Sequence, residues 1–419
     1  MSDSHTESPA DKTASAESTT TGLPARRAAL GMIDAVLRRG QRFDALAIHS
    51  LAPSDEGLAR AIAGEVLRRL PDLDALIDSA TAQPLPGDAK ARTVLRIALV
   101  QTLVLGTPAH AAIATALPMV EGGPKRLVHG VFGTLMRRLA LLPEVPTLPE
   151  AVRSRWGAAW GYAMLGDAAR ALAVPPPLDL TLRDADEDGG IGGEQIWTGQ
   201  LRLPRGHNVA DLPGFSEGSW WVQNVAAAIP ARLLGDGAGR TVLDLCAAPG
   251  GKTMQLAAAG WRVVAVEQHA KRAERLRENL SRTRLYAEVA VSDVMAWEPT
   301  APADAILLDA PCSATGIFAR HPDVLHRIGP KDISALAGLQ TRMLARAADW
   351  LTPTGRLVYA TCSLEPDEGE KIVAASSLVI DPVAAEELPP GIVPAAEGWV
   401  RVLPVPGRDG FFIARLKRA

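Results

Sequence analysis

The stretch Leu243-Asp244-Leu245-Cys246-Ala247-Ala248-Pro249-Gly250-Gly251-Lys252-Thr253 decides the fold. A strand over Thr241–Cys246 runs into a tight glycine turn, and a helix opens behind it. In open α/β sheets, ligands bind at the carboxyl ends of strands. Gly250 and Gly251 have no Cβ, so a ligand can approach the backbone there. A phosphate-binding loop, GxxxxGK[ST], is the rival reading. Its Gly-Lys-Thr end is present, but the first glycine would fall at position 246, which is Cys246. Leu307-Leu308-Asp309 imitates the acidic strand of such ATPases.

Working outward, short β-rich runs alternate with helices: Arg262–Glu267, Ala287–Ser292, Ala305–Asp309 and Arg356–Ala360. That alternation predicts a parallel sheet covered on both faces. Two late strands, Trp399–Leu403 and Phe411–Leu416, have no long helix between them and predict an antiparallel addition at one edge. Acids close successive strands: Glu267 the second, where a carboxylate can accept from ribose hydroxyls, and Asp293 the third, within reach of an adenine edge. Each alone reads equally as a surface acid. Following a glycine turn, they favour an adenosine cofactor.

Two cysteines fall on the same rim, in Asp309-Ala310-Pro311-Cys312-Ser313 and in Tyr359-Ala360-Thr361-Cys362-Ser363. A lone cysteine at a strand end is usually a small buried hydrophobe. A pair beside Asp309 suits covalent catalysis on a pyrimidine: a thiolate adds to carbon 6 of cytosine, and carbon 5 becomes nucleophilic toward a methyl sulfonium. Lys252 favours thiol ionisation. Asp309 is the candidate acid at ring N3. Spacing alone leaves either cysteine as the nucleophile.

Upstream, residues 24–142 read as all helix. Leu30, Ile33, Val36 and Leu37 share a face ended by Gly40. Ser54 is the expected cap of the next helix, with Leu58, Ile62, Val66 and Leu70 at helical spacing. Two more apolar helices are expected around Ala91–Leu105 and Leu127–Leu141. Residues 143–218 form a connector, helical over Arg153–Leu172, with weak strands at Leu178–Leu182 and Leu201–Leu203. Residues 219–419 carry the α/β domain. Residues 1–23, rich in Ser and Thr, read as a disordered tail.

The chain has 419 residues and a net charge of −3, so any nucleic-acid contact must come from patches. Residues 24–142 hold fifteen Lys and Arg against ten Asp and Glu. Three separated cysteines without a CxxC pair give no zinc pattern, so no metal is expected. The longest apolar stretch, near Val94–Leu105, is interrupted by Arg96 and Gln101 and is too short to span a bilayer. With no secretory signal, a reducing cytoplasm is the expected compartment.

Together the three catalytic stretches resemble the RNA 5-methylcytosine methyltransferases, in particular the Sun/Fmu (RsmB) group, which acts on 16S ribosomal RNA. Arg320-His321-Pro322-Asp323, Asp409–Arg415, and Phe215–Gly218 with Val222-Gln223 also match. The helical half resembles a NusB-like RNA-binding domain, notably Leu95–Leu105 followed by Pro108-Ala109-His110-Ala111-Ala112. The resemblance implies a Rossmann-like, seven-stranded mixed-sheet methyltransferase domain using S-adenosylmethionine, preceded by an all-α domain. It implies Cys362 as nucleophile, Cys312 in product release, and Asp309 and Lys252 as further catalytic residues. The cofactor would be held by Cys246, Ala247, Ala248, Pro249, Gly250, Gly251, Lys252, Glu267, Arg272, Asp293 and Asp309. Arg137, Arg138, Arg320 and His321 are the RNA-binding candidates; no protein partner is expected. The chain departs from the family's wording at Glu267 and Asn224, each in place of Asp, and at Val131–Leu135. It also departs at Leu182–Leu201, where an acidic, Gly-rich loop over Asp184–Gly193 replaces the usual helix of the RNA-positioning subdomain. A non-catalytic RNA-binding or ribosome-assembly protein on the same fold is the alternative.

Overall fold

The computed structural model describes residues 22–47, 51–185 and 190–419. The expected tail, up to residue 21, and residues 186–189 of the acidic loop lie outside them. The chain divides into two compact units. One comprises the described residues up to Arg153 together with His321–Arg327. The other comprises Ser154–Arg320 and Ile328–Ala419.

The first unit is helical: α1 (Leu23–Arg39), α2 (Pro53–Arg68), α3 (Leu70–Ser79), α4 (Lys90–Leu103), α5 (Ala109–Ala116) and α6 (Gly122–Arg137). Gly40 ends α1 in the left-handed conformation (φ 61°), as its sequence predicts. The start of α2 differs from expectation. Ala52 is the N-cap and Pro53 the first helical residue, placing Ser54 inside the first turn. Leu70 begins a new helix, because Arg69 leaves helical geometry (φ −115°, ψ 21°) ahead of Pro71. Pro108 similarly precedes α5, a helix the periodicity did not resolve.

Ile33, Ile62, Val66, Leu95, Leu99 and Phe132 make the core of this unit. Arg96, which interrupts the apolar stretch, is buried but paired bidentately with Asp74 (2.8 and 2.9 Å). Gln101 accepts from Arg26 Nε at 2.7 Å. Both polar side chains are therefore paired where water is excluded, although Arg96 Nη1 keeps no hydrogen-bond partner.

The helix α7 (Glu150–Ala173) carries the chain from the first unit into the second and breaks at Gly161 (φ 79°, ψ 172°). A small antiparallel sheet follows, in the order β2 (Glu194–Trp197), β3 (Gln200–Leu203), β1 (Leu178–Leu182), β4 (Trp220–Val222). Asp179 is its buried hinge. Its carboxylate accepts two bonds from Arg202 (2.8 and 3.0 Å) and one from Asn224 Nδ2 (3.0 Å). Asn224 also caps α8 (Val225–Arg232) by accepting from Ala226 N–H at 3.1 Å. The departure from Asp at 224 is thereby explained: an amide can donate to Asp179, whereas a second carboxylate would repel it.

The large sheet contains β5 (Thr241–Leu245), β6 (Arg262–Glu267), β7 (Glu288–Val291), β8 (Ala303–Asp309), β9 (Leu351–Thr361), β10 (Val379–Ile380), β11 (Val400–Val402) and β12 (Phe411–Lys417). All seven expected strands are present, and the two-residue β10 adds an eighth by pairing with β12. The order is β10-β12-β9-β8-β5-β6-β7, with β11 also on β12. Strands β5 to β9 are mutually parallel, and β12 runs antiparallel to β9.

Alternation along the strands sends side chains to two cores. Val242 and Leu307 face Ile229 of α8, Met254 and Leu256 of α9 (Gly251–Ala258), and Leu276 of α10 (Ala270–Thr283). Leu243, Ile306 and Leu308 face Met343, Leu344 and Ala347 of α12 (Pro330–Asp349) and Ile372 of α13 (Glu370–Ala374). The four-residue α11 (Val324–Arg327) belongs to the helical unit. Among the described residues, no helix is long and apolar enough to cross a membrane.

Candidate active site

Chain order reverses between β5 and β8: β6 and β7 lie on one side of β5, β8 and β9 on the other. A crevice opens at the carboxyl ends of the strands at such a point. The parallel register pairs Leu245 with Leu308 and Asp309 with Ala360. Loops leaving these strand ends therefore emerge side by side. That is how Cys312 and Cys362, 50 positions apart, bring their sulfurs to 3.5 Å. Lys252, near the start of α9, donates to Asp309 Oδ2 at 2.8 Å.

On the cofactor rim, Cys246 takes a left-handed conformation (φ 64°), and the Ala248–Pro249 bond is cis. Gly250 caps α9 with φ 106°, a left-handed conformation that favours glycine, and a Cβ there would crowd Leu276 Cδ1 at 2.3 Å. Glu267 is buried and accepts from the backbone N–H groups of Ala248 (3.3 Å) and His269 (2.9 Å). Arg272 lies 3.4 Å from Glu267 and donates to the carbonyl of Ala248 at 2.6 Å, bracing the turn. Asp293 is exposed and accepts from Met295 N–H at 2.8 Å.

Electrostatics sort these groups. Burial pulls the Lys252 ammonium down, but Asp309 outweighs it and the net shift is upward, so Lys252 is charged. The Cys312 thiol is pushed well up, first by its hydrogen bond to Cys362 and then by burial, which holds Cys312 as the neutral thiol. Burial, with Asp309 and Glu267 nearby, pushes the Cys246 thiol up strongly, which leaves it inert. Burial also pushes Asp244 up to about 7. Its Oδ2 accepts from Thr253 at 2.5 Å, and its Oδ1 is buried without a hydrogen-bond partner.

The donor set fits a cationic adenosyl cofactor. Carboxylates of Glu267, Asp293 and Asp309 stand at strand ends on the rim, and the Lys252 amine that would meet a phosphate is already held by Asp309. Among the described residues, no cluster of three or more His, Cys, Asp or Glu could hold a metal.

Of the expected RNA-binding residues, Arg137, Arg138 and His321 fall in the helical unit and Arg320 in the second. Arg137 and Arg138 are exposed at the end of α6, donating to Thr134 (3.1 Å) and to the carbonyl of Ser79 (3.2 Å). Arg320 is engaged by Asp409 at 3.0 Å, while His321 belongs to the helical unit. Sequence reasoning missed two acids. Asp244 had a signal, a charge inside the apolar run Val242–Leu245. Glu368 had none: in Asp367-Glu368-Gly369-Glu370 it reads as surface, yet it is fully buried beneath both cysteine loops.

A doubly wound sheet with a glycine turn at the switch point and strand-end acids for an adenosyl group defines an S-adenosylmethionine-dependent methyltransferase. A model of the 16S rRNA methyltransferase RsmB/F family matches residues 231–417, and a NusB family model matches residues 23–125. The ribosomal RNA small subunit methyltransferase B of Sodalis glossinidius is 35% identical, covering 91% of this chain and 94% of its own. That of Xanthomonas campestris is 32% identical over 96% and 99%. The chain belongs to the RsmB/F methyltransferase family. The crystal structure of PH0851 shares the fold at a TM-score of 0.69 and 21% identity, covering 93% of this chain and 98% of its own. A methyltransferase homologue from Pyrococcus horikoshii aligns at 0.54 and 25% identity, covering 68% and 98%.

Proposed function

We propose that the protein methylates carbon 5 of a cytosine in ribosomal RNA, the 16S RNA of the small subunit, through a covalent adduct on Cys362. The observation that carries this is the 3.5 Å approach of the two sulfurs on the cofactor rim, with the Lys252–Asp309 pair on the same rim. The names of relatives matched over more than nine-tenths of the chain support the RNA class.

Cys246–Lys252, Glu267, Arg272, Asp293 and Asp309 would hold the cofactor, which supplies an electrophilic methyl group on a sulfonium. The target base leaves its stack to reach the rim. Cys362 gives up its proton to solvent and its sulfur bonds to carbon 6, sending an electron pair toward carbon 5. The charged Lys252 favours the thiolate. Asp309 stabilises the ring through N3. Once carbon 5 is methylated its proton must leave; Cys312, having first lost its own proton to solvent, accepts it as thiolate, the carbon–sulfur bond breaks, and Cys362 departs as thiolate. The helical unit supplies RNA affinity through phosphate contacts, with Arg137 and Arg138 exposed on its surface.

Cysteine replacement tests the assignment. Cys362→Ala is expected to abolish both methylation and the covalent RNA adduct. Cys312→Ala is expected to accumulate an adduct that resists denaturing electrophoresis. Adduct from Cys362→Ala and none from Cys312→Ala would mean the roles are reversed; full methylation by both variants would refute covalent catalysis.

A further inference from the structure

Two loops from different strands must be held in contact for the sulfurs to meet, and one buried side chain joins them. Glu368 follows Pro366-Asp367 and is fully buried. Its Oε1 accepts from the backbone N–H of Ser313 (2.9 Å) and from Gln340 Nε2 (3.0 Å). Its Oε2 accepts from the hydroxyls of both Ser313 and Ser363, the latter at 2.5 Å. Ser313 immediately follows Cys312, and Ser363 immediately follows Cys362. One carboxylate oxygen therefore bridges the residues adjoining the two thiols.

The attachment is reinforced on every side. The Glu368 carbonyl accepts from Tyr359 Oη (2.9 Å) and Thr361 Oγ1 (3.2 Å), which lie on the strand leading to Cys362. Gln340 also donates to the carbonyl of Pro311, just before Cys312, at 2.8 Å. Two serine hydroxyls approach each other at 3.1 Å beneath the carboxylate. Burial raises the Glu368 carboxyl, against the opposing pull of Ser313, Ser363 and Gln340. An ionisable group in so dry a place costs stability, so packing alone does not account for it.

We propose that Glu368 is a positioning residue that clamps the Cys312 and Cys362 loops together and sets the distance between their sulfurs. The clamp stands independently of the cytosine mechanism; its consequence for catalysis rests on that mechanism. A glutamine can replace the acid: its oxygen accepts from Ser313 N–H and Gln340, and its amide donates to hydroxyls that can rotate to accept. Alanine leaves the two loops without their common acceptor.

Phenylarsine oxide tests the geometry in the full-length protein. It condenses with two neighbouring thiols, forming two S–As bonds and releasing water, and captures separated thiols poorly. Wild type and Glu368→Gln should bind one equivalent, with two of the three cysteines protected from a thiol reagent. Glu368→Ala should bind at least 10-fold more weakly while its S-adenosylmethionine affinity is unchanged. Its kcat for RNA methylation should fall more than its KM changes, with Glu368→Gln recovering most of the loss. Should Glu368→Ala fail to fold, Ser313→Ala/Ser363→Ala, which removes the bridging hydroxyls, is expected to show the same loss. Arsenical binding equal to wild type in whichever of these variants folds would overturn the clamp. Lost arsenical binding with undiminished methyl transfer would support the clamp and overturn the need for Cys312 beside Cys362 in turnover.

Discussion

Replacing Gly316 by alanine should displace the Cys362 loop while sparing the cofactor turn. Gly316 is buried between two backbone segments: its N–H donates to the carbonyl of Cys362 at 2.9 Å, and its own carbonyl accepts from Gly410 N–H at 2.8 Å. A Cβ would lie 2.1 Å from the Gly410 oxygen, 2.7 Å from its carbonyl carbon and 3.0 Å from the Cys362 oxygen. All three are backbone atoms, so no side chain can rotate away. Non-bonded heavy atoms settle near ~3.5 Å, and relief requires a movement of roughly 1 Å. Both hydrogen bonds then stretch beyond useful length. With a net of about 1 kcal/mol per bond and a further penalty for a buried donor left unmet, the loss is about 2–4 kcal/mol. Urea denaturation of the full chain measures it. A misplacement of ~1 Å at a reacting group can slow the chemistry by roughly 100-fold, so single-turnover RNA methylation should drop at least 10-fold while calorimetric S-adenosylmethionine affinity holds. Gly338→Ala is the control: on the exposed face of α12, its Cβ meets only Arg342 Nη1 at 3.8 Å, and it should be neutral or stabilising. An unchanged midpoint and rate in Gly316→Ala would refute the close approach.

Asp244→Asn should stabilise the cofactor-free protein at pH 8. The carboxyl is raised to about 7 in the fold, so its contribution is full below about pH 4 and is lost as pH rises toward 7; the amide removes that loss, on the order of a few kcal/mol. Urea midpoints of wild type and variant that stay parallel between pH 4 and 8 would contradict it. Asn224→Asp should destabilise by about 2–3 kcal/mol, because it exchanges a donor to buried Asp179 for a second carboxylate. That defect should shrink on acidification as the added carboxyl, raised by Asp179, takes up a proton; a defect that deepens at low pH in thermal unfolding would oppose it. Asp293→Ala should weaken S-adenosylmethionine binding by about 1–3 kcal/mol if hydrogen bonds to adenine are lost, and calorimetry that finds equal affinity would remove Asp293 from the cofactor site.

The sequence by itself determined the strand and helix order of the α/β unit, the glycine turn and the rim on which the functional residues stand. Short apolar runs over Val242–Leu245 and Ala305–Leu308, and a glycine that takes a left-handed turn at Gly250, are local properties. Breaks set by one backbone angle were harder to read: Arg69 splits what helical spacing reads as one helix from Leu58 to Leu70, and Pro53 takes the place expected of Ser54. Tertiary structure alone decided which distant side chains meet. The register that pairs Asp309 with Ala360 sets Cys312 beside Cys362, the β5–β8 junction gives Lys252 to Asp309, and folding buries Glu368 under both thiols and Asp179 under Arg202 and Asn224. A hydrogen bond needs its donor and acceptor within about 3 Å. Whether two groups 50 or more positions apart come that close is a property of sheet order and register, which no local pattern of residues encodes.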